Sequence, residues 1–477
     1  MLVRQIADPK LAQFAYLVGC PATGEALIID PQRDIDRYVA EAARVGLRIV
    51  AAADTHIHAD YLSGLREFAA RGVPVYASRE GGPDWQYEWL AGSAYPHHLL
   101  GDGDTFKVGN IELTAVHTPG HTPEHLSYLV RDGGSGASQP IAIASGDFVF
   151  VGDVGRPDLL ERAAGITGVM QGAARDQYAS IHRVFKGLPE FLQVWPGHGA
   201  GSACGKSLGD IPMSTVGYEL RVNPSIRAAD TQEHFVDFIL AGQPEPPAYF
   251  ARMKRENRSG PAVLGELPRP REVGQDELGA LASSSGVVIL DTRSRREFLA
   301  GHLPGALLTE ADYQLSAIAG SYADPALPVY LVVPASRADE VVRGLVRVGI
   351  DRIEGIITPD TLAAWAAAGG TLHPTSVIDM GGLERQRLAG TVHVLDVRAP
   401  AEFEAGHVPG AINIPHTRLG ERYRELPTDR PLAVHCRSGA RSAAASSLLE
   451  RLGFSVVDVN DLFAHYQQAT APAHTAS

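Results

Sequence analysis

Histidine and aspartate recur beside glycine or a strand end at four places in the first half of the chain. The four segments are Thr55-His-Ile-His-Ala-Asp-Tyr61, Pro119-Gly-His121, Ser145-Gly-Asp147 and Pro196-Gly-His198. Imidazole and carboxylate groups are common ligands of transition metals, and glycine lets the backbone approach a site closely. The pattern therefore predicts one metal site built from four loops.

A second candidate site surrounds Cys436. The segment Pro431–Ser442 is expected to form a strand, a tight loop and then the start of a helix. Backbone N–H groups at a helix N-terminus and nearby guanidinium groups favour a thiolate over a thiol. The residues assigned to a nucleophilic cysteine and its anion-binding loop are Cys436, Arg437, Ser438, Gly439, Ala440 and Arg441.

Strands and helices alternate around the histidine motifs. Ala26–Asp30 and Leu47–Ala51 are predicted strands, and Asp34–Val45 has the apolar spacing of a helix between them. The second strand ends just before Thr55, so the side chains of the following loop can converge on one point. These signals predict an α/β arrangement for residues 1–250.

An internal repeat occupies the second half of the chain. Val288–Ala306 aligns with His393–Ala411 at a constant offset of 105 residues. The first copy has Pro334-Ala-Ser-Arg337 where the second has its cysteine loop, so it cannot carry sulfur. The shared residues are therefore interpreted as determinants of the fold, namely Asp291, Arg293, Glu297, His302 and Gly305 in the first copy and Asp396, Arg398, Glu402 and His407 in the second.

The predicted organisation has three domains and a linker. Prolines are frequent between Gly242 and Pro270, which indicates a linker with one short helix near residues 249–256. The segments are residues 1–250, the linker 251–271, a cysteine-less domain 272–372 and a cysteine-containing domain 373–477.

Composition excludes several classes of partner. The chain of 477 residues has 42 Lys plus Arg against 55 Asp plus Glu, a net charge of −13, which disfavours nucleic acid and anionic membranes. Its three cysteines do not form a disulfide framework, so we expect a cytoplasmic protein. Cys20 is expected to be structural. For Cys204 a structural role and a role in accepting sulfur beside the metal are both retained.

Residues 1–240 resemble the metallo-β-lactamase superfamily, on the motifs given above. Di-zinc hydrolases of that superfamily have histidine where this chain has Tyr61, and a phenol is a poor substitute, which favours a mononuclear centre. The segment Gly146–Asp158 is similar to the persulfide dioxygenase branch. That resemblance implies one Fe(II) per chain, bound by His56, His121 and Asp147.

The same resemblance implies supporting residues around the iron. They are His58, Asp60, Tyr61, Asp158 and His198. Arg156 is a candidate either for binding the anionic end of a thiol substrate or for fixing the metal loop through Asp158.

Residues 376–467 resemble a rhodanese domain, and the Cys-x4-Arg loop is similar to that of sulfurtransferases rather than related phosphatases. The whole order resembles CstB-type fusions of a persulfide dioxygenase, an inactive rhodanese-like domain and an active rhodanese. That resemblance implies oxidation of a low-molecular-weight persulfide, such as that of glutathione or coenzyme A, by O2 to sulfite. Sulfur transfer between persulfide, sulfite and thiosulfate would follow at Cys436.

Two alternatives remain open. One is a thioester hydrolase similar to glyoxalase II, with two zinc ions, fused to a sulfurtransferase. The other is a non-catalytic sulfur carrier. A homo-oligomer is expected, because the cysteine-less domain suggests a contact surface.

Overall fold

The structure is a computed structural model that describes residues 1–162, 167–206, 208–312 and 314–470. Residues 471–477, the end of the predicted last domain, lie outside the described residues. The chain divides into two compact units. The first contains Met1–Leu267 with Val346–Gly349, and the second contains the rest of the described chain from Pro268 onward. The predicted boundaries between three domains stay predictions.

Two six-stranded sheets form the centre of the first unit, each with its strands in chain order. The first sheet consists of β1 Leu2–Asp8, β2 Gln13–Cys20, β3 Glu25–Ile29, β4 Arg48–Ala53, β5 Val75–Ser78 and β6 His97–Leu100. The second consists of β7 Thr105–Val108, β8 Ile111–His117, β9 Leu126–Asp132, β10 Ala142–Gly146, β11 Gln193–Pro196 and β12 Ser214–Thr215. Both sheets mix parallel and antiparallel pairs, as β3 and β4 are parallel while β8 and β9 are antiparallel.

Helices cover the outer faces of both sheets. They are α1 Asp36–Arg44, α2 Leu65–Ala70, α3 Leu159–Arg162, α4 Met170–Arg183, α5 Val216–Val222, α6 Pro224–Arg227, α7 Gln232–Leu240 and α8 Phe250–Ser259. In α1 the buried residues Tyr38 and Ala42 are four positions apart, which places both on the face toward the first sheet. The last helix, α8, lies where the sequence suggested a short helix.

Three apolar layers hold these elements together. A core that includes Leu27 and Tyr128 lies between the sheets, and the other two lie between a sheet and its helices. The first unit is therefore a helix–sheet–sheet–helix sandwich. The metal motifs all follow strand ends: β4 precedes His56, β8 precedes His121, β10 precedes Asp147 and β11 precedes His198.

The second unit contains two five-stranded parallel sheets with the same strand order. The first has β13 Arg271–Glu272, β14 Val288–Asp291, β15 Leu307–Leu308, β16 Val329–Val332 and β17 Ile353–Ile357, in the order β13-β17-β16-β14-β15. The second has β18 Ser376–Ile378, β19 His393–Asp396, β20 Ile412–Asn413, β21 Leu432–His435 and β22 Val456–Val459, in the order β18-β22-β21-β19-β20. The predicted internal repeat is confirmed at the level of topology.

Helices connect these parallel strands, as crossover connections require. They are α9 Leu278–Ala282, α10 Arg295–Ala300, α11 Leu315–Tyr322, α12 Ala338–Val346, α13 Pro359–Ala367, α14 Met380–Leu388, α15 Pro400–Glu404, α16 Leu419–Arg422, α17 Ala440–Arg451 and α18 Phe463–Thr470. Within the described residues, none of the helices is long and apolar enough to cross a bilayer.

Candidate metal centre and sulfurtransferase site

His56, His121 and Asp147 converge in the first unit. Their ligand atoms lie within 4.8 Å of one another and all three side chains are buried. The Oδ2 atom of Asp147 is 3.4 Å from Nε2 of His121 and 3.9 Å from Nε2 of His56. These distances are too long for hydrogen bonds. They are equal to, or about 0.5 Å longer than, the ~3.4 Å separation of two tetrahedral ligand atoms that each lie about 2.1 Å from one metal ion.

Hydrogen bonds orient both imidazole rings with Nε2 toward Asp147. Nδ1 of His121 lies 3.1 Å from the carbonyl oxygen of Arg156, which can only accept, so Nδ1 carries the hydrogen. Nδ1 of His56 lies 2.9 Å from Thr55 Oγ1, whose own hydrogen is donated to Asp30. Each Nε2 therefore keeps a free lone pair, as a metal ligand needs.

The charge states suit a cation. Burial, followed by the neighbouring imidazoles, holds the pKa of His56 and of His121 well below the usual range, so both rings are neutral. Burial raises the pKa of Asp147 to about 6. Neither carboxylate oxygen of Asp147 has a hydrogen-bond partner among the described residues, although the side chain is buried. A buried carboxylate without partners is costly, and a metal ion would compensate it.

Two glycines allow this close approach. Gly146 has φ +51°, and a Cβ there would lie 2.5 Å from Thr55 Oγ1. A Cβ on Gly197 would lie 2.5 Å from Asp147 Oδ1. A side chain at Gly197 would therefore displace the candidate ligand Asp147, and one at Gly146 would displace Thr55, which orients His56.

Asp60, His198 and Cys204 form a second buried group beside the first, with ligand atoms also within 4.8 Å of one another. Nε2 of His198 is 3.5 Å from Asp60 Oδ2 and 3.6 Å from Asp147 Oδ1. Burial raises the pKa of Asp60 to about 7. Burial and the nearby carboxylates raise the pKa of Cys204 well above the usual range, so its sulfur is a neutral thiol here.

Tyr61 and His58 bond to each other beside the first group, and the centre of the His58 ring is 4.3 Å from that of His56. The Tyr61 hydroxyl is 3.0 Å from His58 Nε2 and also accepts from the Gln13 amide at 3.2 Å. Burial raises the pKa of Tyr61 well above the usual range, so the phenol stays neutral. Burial lowers the pKa of His58, but the carboxylate of Asp30 at 3.2 Å outweighs it and raises the value to about 9.

Arg156 is fully buried in an ion pair with Asp158. Its Nε and Nη2 atoms donate to the two Asp158 oxygens at 3.0 and 2.7 Å, and Nη1 donates to the Ala203 carbonyl at 3.0 Å. Of the two roles considered for Arg156, this geometry supports fixing the metal loop, because the residue's own carbonyl orients His121. The guanidinium is not exposed to a substrate.

Several supporting residues were not found from the sequence. Asp30, at φ +51°, accepts from the backbone N–H of Thr55 at 2.7 Å and fixes the loop that carries His56. His125 accepts from the Asp147 N–H at 3.1 Å. The position of Asp30 directly after β3, on the same sheet edge as Thr55, was the signal that could have identified it.

A cavity of about 870 Å³ in the first unit is lined by residues that neighbour the candidate ligands along the chain. Its wall includes Ile57, between the two histidines of the first motif, and Pro123, two residues after His121. Lys254 of α8 also lines it, buried, with Nζ 4.2 Å from the centre of the Trp85 ring. Burial lowers the pKa of Lys254 to about 8, with the charge of Glu124 opposing the shift.

Cys436 lies between β21 and α17, as predicted. The backbone N–H of Gly439 donates to its sulfur at 3.1 Å, and the Ser442 hydroxyl lies 3.8 Å from it. Arg437 is exposed, and the guanidinium of Arg441 donates to both oxygens of Glu402 at 2.7 and 2.9 Å. Arg441 is thus held at the loop by a carboxylate.

The two copies show which shared residues are structural. Arg293 pairs with Asp291 and Arg398 with Asp396, each at 2.6 Å. His302 and His407 each stack on a phenylalanine, with ring centres 3.8 and 3.9 Å apart. For Glu402 the assignment from the repeat was incomplete: Glu297 caps α10, whereas Glu402 also holds Arg441.

Cys20 lies in the core between the two sheets of the first unit, which agrees with a structural role. Among the described residues, the cysteine-less copy has a short turn, Ala335–Arg337, before α12 at the position of the cysteine loop.

Comparison with known proteins identifies two families in the chain. The model of the metallo-beta-lactamase superfamily matches residues 8–198, and that of the rhodanese-like domain matches residues 382–468. The crystal structure of a metallo-beta-lactamase from Staphylococcus aureus subsp. aureus COL is 36% identical, with a TM-score of 0.66, and the match covers 75% of this chain and 99% of that one. A probable metallo-hydrolase of Burkholderia pseudomallei is 30% identical over 307 residues, 57% of this chain and 96% of its own length.

The mitochondrial persulfide dioxygenase ETHE1 of Bos taurus is 29% identical over 231 residues, 47% of this chain and 76% of its own length. The chain therefore belongs to the metallo-β-lactamase superfamily. More particularly, the chain contains a metallo-β-lactamase domain, whose homologues include persulfide dioxygenases, followed by a rhodanese-like domain.

Proposed function

We propose that this chain is a non-haem Fe(II) persulfide dioxygenase fused to a rhodanese sulfurtransferase, of the CstB type. The observation that carries the proposal is the group His56, His121 and Asp147, in which two neutral imidazoles and one unpartnered carboxylate face one point. Two histidines and one carboxylate are typical of Fe(II) sites that keep open positions for O2 and substrate. The similarity to persulfide dioxygenases supports the same assignment.

An Fe(II) ion bound by these three side chains would supply the binding and activation of O2 beside the persulfide sulfur. The protein residues have other tasks. Arg156 and Thr55 keep the two imidazoles oriented, and His125 holds the backbone of Asp147. The cavity beside Ile57 and Pro123 would receive the thiol carrier, with the buried Lys254 attracting its negative charge.

The overall oxidation balances as RSS⁻ + O2 + H2O giving RSH, SO3²⁻ and H⁺. In the second site the thiolate of Cys436 attacks the outer sulfur of a persulfide, the sulfur–sulfur bond breaks, and the carrier thiolate leaves with the electron pair. Sulfite then attacks the outer sulfur on Cys436, which releases thiosulfate and restores the thiolate. The Gly439 N–H at 3.1 Å from Sγ would stabilise the negative charge of the thiolate, before the transfer and again when thiosulfate is released.

Oxygen consumption tests the proposal. The full chain is purified anaerobically, its iron and zinc are counted, and O2 uptake is followed with glutathione persulfide and with coenzyme A persulfide. We expect one iron per chain and, for each O2 consumed, one sulfite or one thiosulfate formed from it at Cys436. An iron-loaded sample that consumes no oxygen with either persulfide would refute the dioxygenase assignment.

A second candidate is a di-zinc thioester hydrolase fused to the sulfurtransferase. It is favoured by the group Asp60, His198 and Cys204, which could hold a second metal next to Asp147. Two zinc ions per chain together with hydrolysis of a glutathione thioester would support it over the dioxygenase. A chain that binds metal but catalyses neither reaction would be the sulfur carrier considered above.

A further inference from the structure

Arg295, in the copy without a cysteine, reaches the loop that holds Cys436 in the other copy. It is the first residue of α10, and its backbone N–H is anchored to Glu310 at 2.7 Å. Its guanidinium Nη1 donates to the carbonyl oxygen of Ser438 at 2.9 Å. Both copies belong to the same compact unit.

The acceptor of this hydrogen bond belongs to the peptide group that touches the sulfur. The Ser438–Gly439 peptide is trans, its oxygen accepts from Arg295, and its N–H donates to Cys436 Sγ at 3.1 Å. In a planar trans peptide the C=O and N–H bonds point in opposite directions. A donor that holds the oxygen on one side therefore directs the N–H to the other side, toward the sulfur.

This peptide needs an external constraint. Gly439 has φ +89° and no Cβ, so rotation of the preceding peptide group meets little steric resistance. A Cβ at Gly439 would lie 2.7 Å from Arg295 Nη1 and 2.5 Å from Asn460 Oδ1, which shows how closely the loop packs against both residues.

We propose that Arg295 is a positioning residue of the sulfurtransferase site, through which the cysteine-less copy directs the Gly439 N–H onto the sulfur of Cys436. It stabilises the thiolate by fixing a donor that it does not itself supply. The inference deepens the sulfurtransferase part of the proposed function and assigns a task to the copy that cannot carry sulfur.

Several other charged groups surround the loop, and all of them are present in every Arg295 variant. They are the Arg441–Glu402 pair, the Arg398–Asp396 pair, His435 beside Asp396, the exposed Arg437, and Asp458, which lies under α17 and is within electrostatic reach of Arg295. A shift in the reactivity of Cys436 on changing Arg295 therefore has three possible routes: the peptide group, the charge of Arg295 acting on the sulfur directly, and the same charge acting by way of Asp458. Arg295→Gln removes the charge and keeps a donor, so it separates the first route from the other two.

The test compares four variants of the full chain: Arg295→Ala, Arg295→Gln, Arg295→Lys and the exposed neighbour Arg296→Ala. Iodoacetamide alkylation is followed against pH, with Cys436→Ser as the blank for Cys20 and Cys204. Thiosulfate:cyanide sulfurtransfer is measured in parallel. Alkylation needs no substrate, so its outcome is independent of whether the proposed sulfur donor is correct.

We expect Arg295→Ala to move the midpoint of the alkylation profile up by about one pH unit and to lower kcat/KM about tenfold, the effect of losing one charge-assisted hydrogen bond. Arg295→Gln, which keeps a neutral N–H donor, should recover most of both. Arg296→Ala should match the wild type, and oxygen uptake should be unchanged in all four.

The proposal is overturned if Arg295→Ala has the alkylation profile of Arg296→Ala. It is also overturned if Arg295→Lys restores the profile and Arg295→Gln does not, because charge alone would then be responsible. If Arg295→Ala fails to fold, Arg295→Gln decides: a near wild-type profile supports the proposal, and a profile shifted by a full unit refutes it.

Discussion

Replacing Asp147 by asparagine should stabilise the metal-free protein while it removes the metal site. Burial raises the pKa of Asp147 from 3.8 to about 6, so the folded state binds a proton more tightly than the unfolded state does. Stability therefore falls as the pH rises from about 4 to 6, and the whole penalty is present above the folded pKa. At 1.36 kcal/mol for each pKa unit, the ionised carboxylate costs about 3 kcal/mol at pH 8.

Asparagine has nearly the same shape and no charge, and its amide can donate to the free Nε2 lone pairs of His56 and His121. The metal-free Asp147→Asn variant should thus be up to about 3 kcal/mol more stable than the metal-free wild type at pH 8, and about half of that at pH 5. With iron present the order should reverse, because the wild type alone gains the free energy of metal binding.

The assay is urea unfolding in the presence of a chelator, followed by tryptophan fluorescence. Trp85, Trp89 and Trp195 lie in the first unit and Trp365 in the second, so a Trp365→Phe background makes fluorescence report on the first unit. Asp210→Asn, at an exposed carboxylate of the same unit, is the matched control and should change stability little at either pH.

Equal stability of the two metal-free proteins at pH 8 would refute the reasoning, since it would mean that the carboxylate is neither buried nor unpartnered. A larger gain at pH 5 than at pH 8 would contradict the sign of the linkage. If the Asp147→Asn variant consumes oxygen at the wild-type rate, Asp147 is not a ligand of the metal centre.

Three further predictions concern activity. Asp147→Ala should abolish oxygen uptake and leave thiosulfate:cyanide sulfurtransfer intact, and Cys436→Ser should do the opposite; loss of both activities in one folded variant would refute the division into two sites. Gly197→Ala would place a Cβ 2.5 Å from Asp147 Oδ1 and should lower oxygen uptake about 100-fold, whereas Gly187→Ala, where a Cβ meets nothing within 4 Å, should leave it unchanged. Lys254→Met should raise KM for an anionic persulfide about tenfold with a smaller change in kcat, as measured by initial rates of oxygen uptake, and an unchanged KM would exclude Lys254 from substrate binding.

The fold and the central residues of the metal site could be predicted because their signals are local. Strand ends followed by histidine or Gly-Asp pairs identified His56, His121 and Asp147, and the structure brings their ligand atoms together. The role of Asp30 was not predicted, because its contact with Thr55 depends on the pairing of two neighbouring strands rather than on spacing along the chain. Lys254 was missed because α8, although a short helix was expected there, lies in a proline-rich segment that was interpreted as a linker without a functional role.

The internal repeat separates contacts needed for folding from contacts that are candidates for function. Because one copy lacks the cysteine, contacts that occur in both copies are needed for folding, and the Asp–Arg pairs and the His–Phe stacks occur in both. Contacts that exist only around the cysteine loop are instead candidates for function. Glu402 makes such a contact: Arg441 is the second residue of α17, and the second residue of α12 in the first copy is Asp339, which cannot pair with a glutamate.

The same reasoning applies to Arg295, although no comparison of motifs could have found it. Its counterpart at the same offset is Pro400, which has no side-chain donor, so the hydrogen bond to Ser438 runs in one direction only, from the copy without sulfur chemistry to the copy with it. An inactive repeat that served only as a scaffold would have no need of a charged donor at the nucleophile's loop. The asymmetry of this one contact is what the alkylation profile of the Arg295 variants would measure.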